Sequence, residues 1–136
     1  PNSLKPGRKP LHTLSPTMWS VDGNLDMVIG TSGGRYQPQL LSHFILKILK
    51  NENLVNAMSS PRWNIDEFGK TSVSEINIEP GFDKKTTDEL INKGHKVNQL
   101  TELQNSYGPI SAIIKTEDSW KATHDPRVET ASSMID

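Results

Sequence analysis

Apolar residues recur along the first third of the chain with two different spacings, and each spacing indicates a type of element. Residues 11–21 are expected to be extended, with an interruption at Pro16, and residues 25–29, which end in an apolar run at 27–29, are expected to form the returning strand. Between them lies the tripeptide DGN at 22–24, which is typical of hairpin turns. Over residues 37–49 the apolar positions change to helical spacing and share one stripe: Leu40, Leu41, Phe44, Ile45, Ile48 and Leu49. The pattern predicts a β-hairpin followed by an amphipathic helix.

The rest of the chain alternates shorter helices and strands. One helix is expected through residues 54–58, ending before Pro61, because the residue before a proline disfavours helix. Another is expected between an N-cap at Asp83 and a closing Gly94. Three stretches predict strands and one predicts a polar turn: 72–80, 95–100 and 108–116, with the turn at 124–132. This order of elements predicts an α+β fold in which antiparallel strands pair and helices pack on a sheet face.

The composition indicates one domain with a small core. A chain of 136 residues suits a single domain, which here spans residues 1–136. Its apolar fraction of 33% is low against an average of roughly 45–50%, although that average also counts glycine. The low fraction indicates a modest core, or one that another segment completes. Because the chain starts at Pro1 without an initiator methionine, we expect it to be a piece of a longer protein.

Charge, cysteine content and hydropathy exclude several classes of function. Lys and Arg together number 15 against 16 Asp and Glu, without a basic run, so we expect no nucleic-acid partner. The absence of cysteine removes disulfides, thiolate metal sites and thiol nucleophiles, and slightly favours a cytoplasmic location. No apolar stretch approaches the roughly 20 residues that a membrane span requires, so we expect none.

A glycine-rich loop, GTSGGRYQPQ at residues 30–39, separates the predicted strand from the predicted helix. It lacks the lysine of a phosphate-binding loop and the spacing of a dinucleotide-binding loop, which argues against nucleotide binding. Consecutive glycines ahead of a helix leave their backbone N–H groups unobstructed by any Cβ, so an anionic oxygen can approach them. The local sequence therefore leaves two interpretations open, an oxyanion hole or a plain tight turn.

The other polar residues offer few chemical groups in a recognisable arrangement. Four histidines lie far apart, at positions 12, 43, 95 and 124, so we expect no metal site, and we expect no cofactor. His12 is set apart only by the adjacent Thr13, since prolines on both sides hold this pair rigidly. Ser32 has the G-x-S-x-G spacing in GTSGG at 30–34, but no candidate base lies near it in the sequence, so we expect no serine nucleophile. The segments PRW at 61–63 and DPR at 125–127 each indicate a buried arginine pair or a turn with a structural salt bridge.

Taken together, five ordered segments resemble the C-terminal part of the small subunit of γ-glutamyltransferases, the N-terminal-nucleophile enzymes that hydrolyse glutathione. PGRKPLHTLSPTM resembles the family's P-G-K-R-P-L-S-S-M-S-P-T, and GTSGG resembles its G-S-P-G-G. AMSSPRW is similar to the helix that ends in A-P-R, DELINKGHKV to L-x-x-x-G-H-x-V, and HDPRVETAS to D-P-R-x-D-G-A. The resemblance covers almost the whole chain, and five segments in order are more specific than any one.

The resemblance implies part of an αββα sandwich, in which two antiparallel sheets lie between helix layers. In this family the precursor cuts itself and frees a threonine, whose hydroxyl attacks the γ-glutamyl amide while its own α-amino group acts as base. The acyl-enzyme then passes to water or to an acceptor amine. By position, Gly33 and Gly34 correspond to the glycine pair of the oxyanion hole, and His12 and Thr13 to two serines that hold the donor's α-carboxylate.

The resemblance also sets the expected partners and leaves the substrate open. The segment with the nucleophile is not in this chain, so we expect the remainder of the same precursor as partner and a small amide as substrate. His12 departs from the family's serine, and GGRYQPQ is closer to the G-G-x-x-Q-P-Q of γ-glutamyltransferase-like acylases and oxamate amidohydrolases. Hydrolysis of another amide, such as oxamate or an acylated β-lactam, is therefore an alternative. A non-catalytic binding or assembly module is another.

Overall fold

The computed structural model describes residues 3–10, 13–65 and 75–129 of the chain. Within these ranges it contains strands and α-helices in the following order: β1 (Thr17–Val21), β2 (Asn24–Thr31), α1 (Gln37–Leu49), α2 (Leu54–Ser59), β3 (Trp63–Ile65), β4 (Glu75–Ile78), α3 (Lys84–Asn92), β5 (Lys96–Gln99), β6 (Ile110–Lys115) and β7 (Trp120–Thr123). The α+β class is as predicted from the sequence. Counting the described residues, none of the helices is both long and apolar enough to cross a lipid bilayer.

The first sheet has four strands in the order β1-β2-β6-β7, and every neighbouring pair is antiparallel. Its β1-β2 hairpin turns at Asp22 and Gly23, whose φ angles of 48° and 78° are those of the tight turns that the DGN sequence predicts. A register shift between Trp19 and Ser20 bends the edge strand β1. The predicted hairpin is confirmed, with the returning strand extending further, to Thr31.

The second sheet has three strands in the order β3-β4-β5 and corrects one expectation. Strands β3 and β4 are antiparallel, but β4 and β5 run parallel. The reason is the connection, because α3 lies between β4 and β5 and returns the chain to the end at which β4 began. The structure also adds two short strands that the sequence pattern did not predict, β3 and β7.

The helices begin and end where local sequence rules place them. Pro38 lies in the first turn of α1, where a missing N–H costs no intrahelical bond. Helix α2 is capped by the side chain of Asn53, and α3 by the side chain of Asp83, which accepts from the N–H of Thr86 at 2.6 Å. Gly94 follows α3 with a φ of 90°, so the predicted closing glycine is confirmed.

The core lies between the first sheet and helices α1 and α2. Buried side chains from one face of the sheet meet buried side chains from both helices: Met27, Ile29, Ile110 and Ala112 against Leu41, Phe44, Leu54, Ala57 and Met58. The opposite face of the sheet carries an apolar row in which one residue of each strand pairs directly with the next: Met18, Val28, Ile113 and Ala122. We call this set the open-face row, because Met18 is 74% exposed and Ile113 is 46% exposed.

Candidate active site

The glycine loop joins the end of β2 to the start of α1 and turns sharply at two successive glycines. Gly33 has φ 149° and ψ 11°, and Gly34 has φ 53° and begins a 3-10 turn, Gly34–Tyr36, that leads into α1. The carbonyl of Gly33 accepts from the N–H of Tyr36 at 3.0 Å, and the carbonyl of Gly34 accepts from the N–H of Gln37. Within the described ranges, the N–H groups of Gly33 and Gly34 donate no hydrogen bond. Two adjacent donors are thus left without a protein acceptor.

The surroundings of these two donors favour an anion. They precede the N-terminus of α1, where helix N–H groups and the helix dipole place partial positive charge. The next side chain, Arg35, is exposed and adds a full positive charge, with its guanidinium 5.5 Å from the ring centre of Tyr36. The arrangement is chemically suited to stabilising an oxyanion, which requires preorganised donors directed at one point.

A third glycine, Gly108, supports the loop from behind. A Cβ on Gly108 would lie 1.9 Å from the carbonyl oxygen of Ser32, and a Cβ on Gly33 would lie 3.2 Å from the Cα of Gly108. The backbone segments thus touch, and both positions exclude a side chain. Gly34 differs, because nothing lies within 4 Å of a Cβ built there. Sequence analysis did not single out Gly108, although the Gly-Pro pair at 108–109 is a turn signal.

The segment that contains Thr13 is tied to the glycine loop through Gln37. The side-chain amide of Gln37 donates to the carbonyl of Thr13 at 2.7 Å and accepts from the N–H of Ser15 at 3.1 Å. Gln37 is buried, whereas Thr13 is exposed. The structure therefore brings Thr13 and the glycine pair to the same region of the molecule. His12, the other predicted carboxylate-binding residue, lies outside the described residues.

The two arginine segments that the sequence singled out form one buried ionic network. Arg62 Nη2 lies 2.5 Å from Asp125 Oδ2, Arg127 Nη1 lies 3.1 Å from Asp125 Oδ1, and Arg127 also pairs with Glu79. All four side chains are buried. Both interpretations of these segments therefore hold: the two arginines are buried together, and the salt bridges that they form are structural. Glu79, which closes the network, was not predicted, since nothing in the local pattern distinguishes it from an ordinary strand-end acid.

Contacts within the network oppose the effect of burial on the pKa values of Asp125, Arg62 and Arg127. Burial acts to raise the pKa of Asp125, but the charge of Arg62 and hydrogen bonds from the N–H groups of Ile110 and Arg127 bring that pKa below its usual value. Burial lowers the pKa of Arg62, as does the charge of Arg127, while Asp125 and Glu79 oppose that shift. Burial also acts to lower the pKa of Arg127, yet its hydrogen bonds and charge pairing with Glu79 raise it. The contacts within the network therefore favour the charged forms of Asp125 and Arg127.

The ionic network reaches the glycine loop through the segment at 107–110. Arg62 Nη1 donates to the carbonyl of Gly108 at 2.9 Å, and Asp125 accepts from the N–H of Ile110 at 2.9 Å. The Thr31 hydroxyl, at the end of β2, lies 2.8 Å from the same Gly108 carbonyl. Because Gly108 contacts the glycine loop, the ionic network holds in place the backbone against which Gly33 packs.

The remaining histidines lie on separate elements and do not assemble a site. His43, on α1, contacts Trp63 with ring centres 4.5 Å apart, while His95 follows α3 and His124 follows β7. Burial, with smaller effects from the charges of Arg62 and Lys47, lowers the pKa of His43 to about 4, so it is neutral at pH 7. In the described part of the chain, no group of three or more acidic, histidine or cysteine side chains is arranged to hold a metal ion.

Solved structures with the same architecture define the class of fold. The gamma-glutamyltranspeptidase from Pseudomonas nitroreducens, complexed with L-DON, superposes with a TM-score of 0.77 over 99% of this chain and 68% of its own, at 22% identity. The chain thus has the fold of part of an N-terminal-nucleophile hydrolase, as the sequence resemblance implied.

The family follows from the sequence comparisons. The profile described as gamma-glutamyltranspeptidase matches residues 1–135, so the chain belongs to the gamma-glutamyltranspeptidase family, a family of enzymes. It is 31% identical to the glutathione hydrolase-like YwrD proenzyme of Bacillus subtilis over 98% of this chain and 26% of that protein. It is 29% identical to the oxamate amidohydrolase proenzyme of Klebsiella pneumoniae, over 96% of this chain and 25% of that protein. The chain spans about a quarter of the length of these curated relatives.

Proposed function

We propose that this chain is part of a self-processing proenzyme that cleaves γ-glutamyl amides such as glutathione through a threonine acyl-enzyme. The observation that carries the proposal is that the N–H groups of Gly33 and Gly34 have no acceptor among the described residues, while Gln37 links their turn to the exposed Thr13. In this reaction the nucleophile comes from the remainder of the precursor. Its attack turns the scissile carbonyl oxygen into an oxyanion, which accepts hydrogen bonds from the two glycine N–H groups.

We assign the binding of the substrate's α-carboxylate to residues 12–13. Thr13 is exposed and offers a hydroxyl, and His12 precedes it in the sequence. A hydroxyl and an imidazole N–H are both donors to a carboxylate, so the pair is suited to the role that the resemblance gives it. Binding the α-carboxylate here and the amide carbonyl at the glycine pair would fix the acyl group at two points before attack.

The open-face row supplies the surface for the remainder of the precursor. Along the same face, the next paired positions toward the glycine loop are Gly30 and Ser111, which carry no bulky side chain. A second sheet packed on the row would bring its own backbone close to the glycine loop at this end. The names of the curated relatives, which are proenzymes of about four times this length, support a chain that works with other segments of its precursor.

Gly34→Val in the full-length precursor tests the oxyanion assignment. Apart from its chain neighbours, no described residue lies within 4 Å of a Cβ at this position, so the added side chain enters open space and its cost to the fold is the strain of the positive φ. We expect release of γ-glutamyl anilide to fall by roughly 10²–10³-fold, the loss typical of one oxyanion donor. Gly34→Asn is the matched control for backbone strain, because asparagine tolerates the positive φ of 53° at this position. Unimpaired activity of the valine variant would overturn the assignment.

A related amidase is the second candidate, favoured by the similarity to the Klebsiella oxamate amidohydrolase. Release of ammonia from oxamate, measured beside release of aniline from a γ-glutamyl anilide, separates the two. A non-catalytic module is the third, and it would show neither activity. The residue at the self-cleavage point of the precursor decides this case, since a catalytic member requires Thr, Ser or Cys there.

A further inference from the structure

Gln37 forms hydrogen bonds with both halves of the candidate site. Its backbone N–H donates to the carbonyl of Gly34, which fixes the turn that carries the glycine pair. Its side-chain amide donates to the carbonyl of Thr13 at 2.7 Å and accepts from the N–H of Ser15 at 3.1 Å. Gln37 is 4% exposed, so water has little access to its amide, whereas its partner Thr13 lies at the surface.

The segment at 13–15 depends on this amide for its position. It belongs to no helix or strand, and in the described part of the chain its only hydrogen bonds are the two to Gln37. The amide suits this place, because one side chain donates to a carbonyl and accepts from an N–H. A carboxylate cannot donate to the Thr13 carbonyl, and an apolar side chain can make neither bond.

We propose that Gln37 is a positioning residue that sets the distance between the carboxylate-binding residue Thr13 and the oxyanion-binding pair Gly33 and Gly34. This rests on the proposed function. The distance between the two binding points selects the length of the acyl donor, since the α-carboxylate and the scissile carbonyl of a γ-glutamyl group are separated by a fixed number of bonds. Gln37 thereby favours γ-glutamyl donors over β-aspartyl donors, which are one methylene shorter.

A second glutamine in the same helix turn provides a matched control. Gln39 accepts a hydrogen bond from the N–H of Ile65 at 3.1 Å and so ties α1 to β3 rather than to the segment at 13–15. The two residues have the same side chain and lie two positions apart in α1. A loss of activity that follows substitution of Gln37 but not of Gln39 therefore arises from the contacts of Gln37. It does not arise from the removal of a glutamine from α1.

Gln37→Met and Gln39→Met in the full-length, self-processed protein test the inference. On γ-glutamyl anilide we expect Gln37→Met to raise KM about tenfold with little change in kcat, because it weakens binding of the carboxylate end. On 4-aminobutyryl anilide, which lacks the α-carboxylate, the same variant is expected to match wild type. The preference for γ-glutamyl over β-aspartyl anilide should also fall. Gln39→Met should leave both the KM values and the preference unchanged.

A structural readout accompanies the kinetics. Amide exchange at Ser15 is expected to rise in Gln37→Met and to remain at the wild-type rate in Gln39→Met, whatever the substrate. Where the methionine variant does not fold or process, Gln37→Glu serves, because it keeps the acceptor for Ser15 and loses only the donor to Thr13. If the Gln37 and Gln39 variants lose activity equally on donors with and without the carboxylate, Gln37 has only a structural role and the inference is wrong.

Failure of the proposed function gives a different result. A wild-type protein that hydrolyses oxamate but no γ-glutamyl anilide would contradict the proposed substrate, and oxamate against oxamide, which lacks the carboxylate, then tests Gln37 in the same way. A wild-type protein inactive on both would contradict the proposed function, and the exchange rate at Ser15 would then decide whether Gln37 holds this segment.

Discussion

The two faces of the first sheet differ in what covers them. On one face, helices α1 and α2 bury side chains such as Ile29 and Phe44, and the ionic network lies at the edge of this core. On the other face, the open-face row is apolar across all four strands, but no helix of the described chain packs on it. The side of the sheet that carries helices α1 and α2, which we call the complete half, is thus covered within the described chain. The other side has an apolar surface of the kind that marks an interface.

The candidate site is also supported from one side of the sheet only. The glycine pair is supported from the complete half, through Gly108 and the ionic network, whereas its two N–H groups point to no acceptor within the described chain. The low apolar fraction of 33% agrees with this division, because a core built on only one face of a sheet needs fewer apolar residues.

The largest effect is expected for Asp125→Ala in the complete half. The substitution leaves Arg62 buried without its closest carboxylate and also removes the acceptor of the Ile110 N–H. Breaking a buried ion pair in this way costs about 3–5 kcal/mol of unfolding free energy. Denaturant unfolding of the full-length protein measures it, with Asp88→Ala as control, because Asp88 forms only an exposed pair with Lys84. Equal losses in both variants would show that the network is not structural.

Phe44→Ala and Ile113→Ala test the comparison of the two faces directly. Phe44 is 2% exposed, and its truncation is expected to cost about 3–5 kcal/mol of unfolding free energy. Ile113 is 46% exposed in this chain, but if the remainder of the precursor covers it, as we propose, its truncation in the processed full-length protein should cost about 2–4 kcal/mol. Leu49→Ala is the control, since this leucine is 67% exposed on α1 and should cost no more than about 0.5 kcal/mol. An Ile113 loss as small as the control would mean that the open-face row stays in water.

The smallest effect is a pH dependence from His43 in the complete half. Its pKa is lowered from 6.5 to about 4 in the folded chain, so between these values the unfolded chain binds a proton that the folded chain does not. Unfolding free energy therefore falls as the pH decreases from about 6.5 to about 4, by roughly 1–3 kcal/mol, and is independent of His43 above that window. In His43→Gln this part of the pH dependence should disappear. His124→Gln, at an exposed site after β7, should keep it.

The parts of the fold that the sequence predicted are those set by neighbouring residues. Helix α1 was readable from Pro38 and the apolar stripe, and α3 from the cap at Asp83, because both signals lie within one or two turns. Strand β3 has three residues, too few to show alternation, and β7 was not predicted either. The parallel pairing of β4 and β5 depends on how α3 crosses the sheet, which no local pattern reports.

The same limit applied to the candidate site. The glycine loop was visible because its glycines are adjacent in sequence, and its geometry agrees with the oxyanion prediction without testing it. The role of Gln37 was not visible, since its partners Thr13 and Ser15 lie 24 and 22 residues away. Glu79 was missed for the same reason, because Arg127 meets it across 48 residues. Long-range contacts decide which polar residues belong together.

Oxidation of the exposed Met18 can report whether the open-face row is covered. A thioether that is 74% exposed is open to oxidation, and oxidation makes it polar. Once the remainder of the precursor covers the row, the oxidant loses access to this sulfur while Met58, 1% exposed in the core, is shielded in either state. A high ratio of Met18 sulfoxide to Met58 sulfoxide in a mass spectrum would therefore indicate that the open-face row is uncovered.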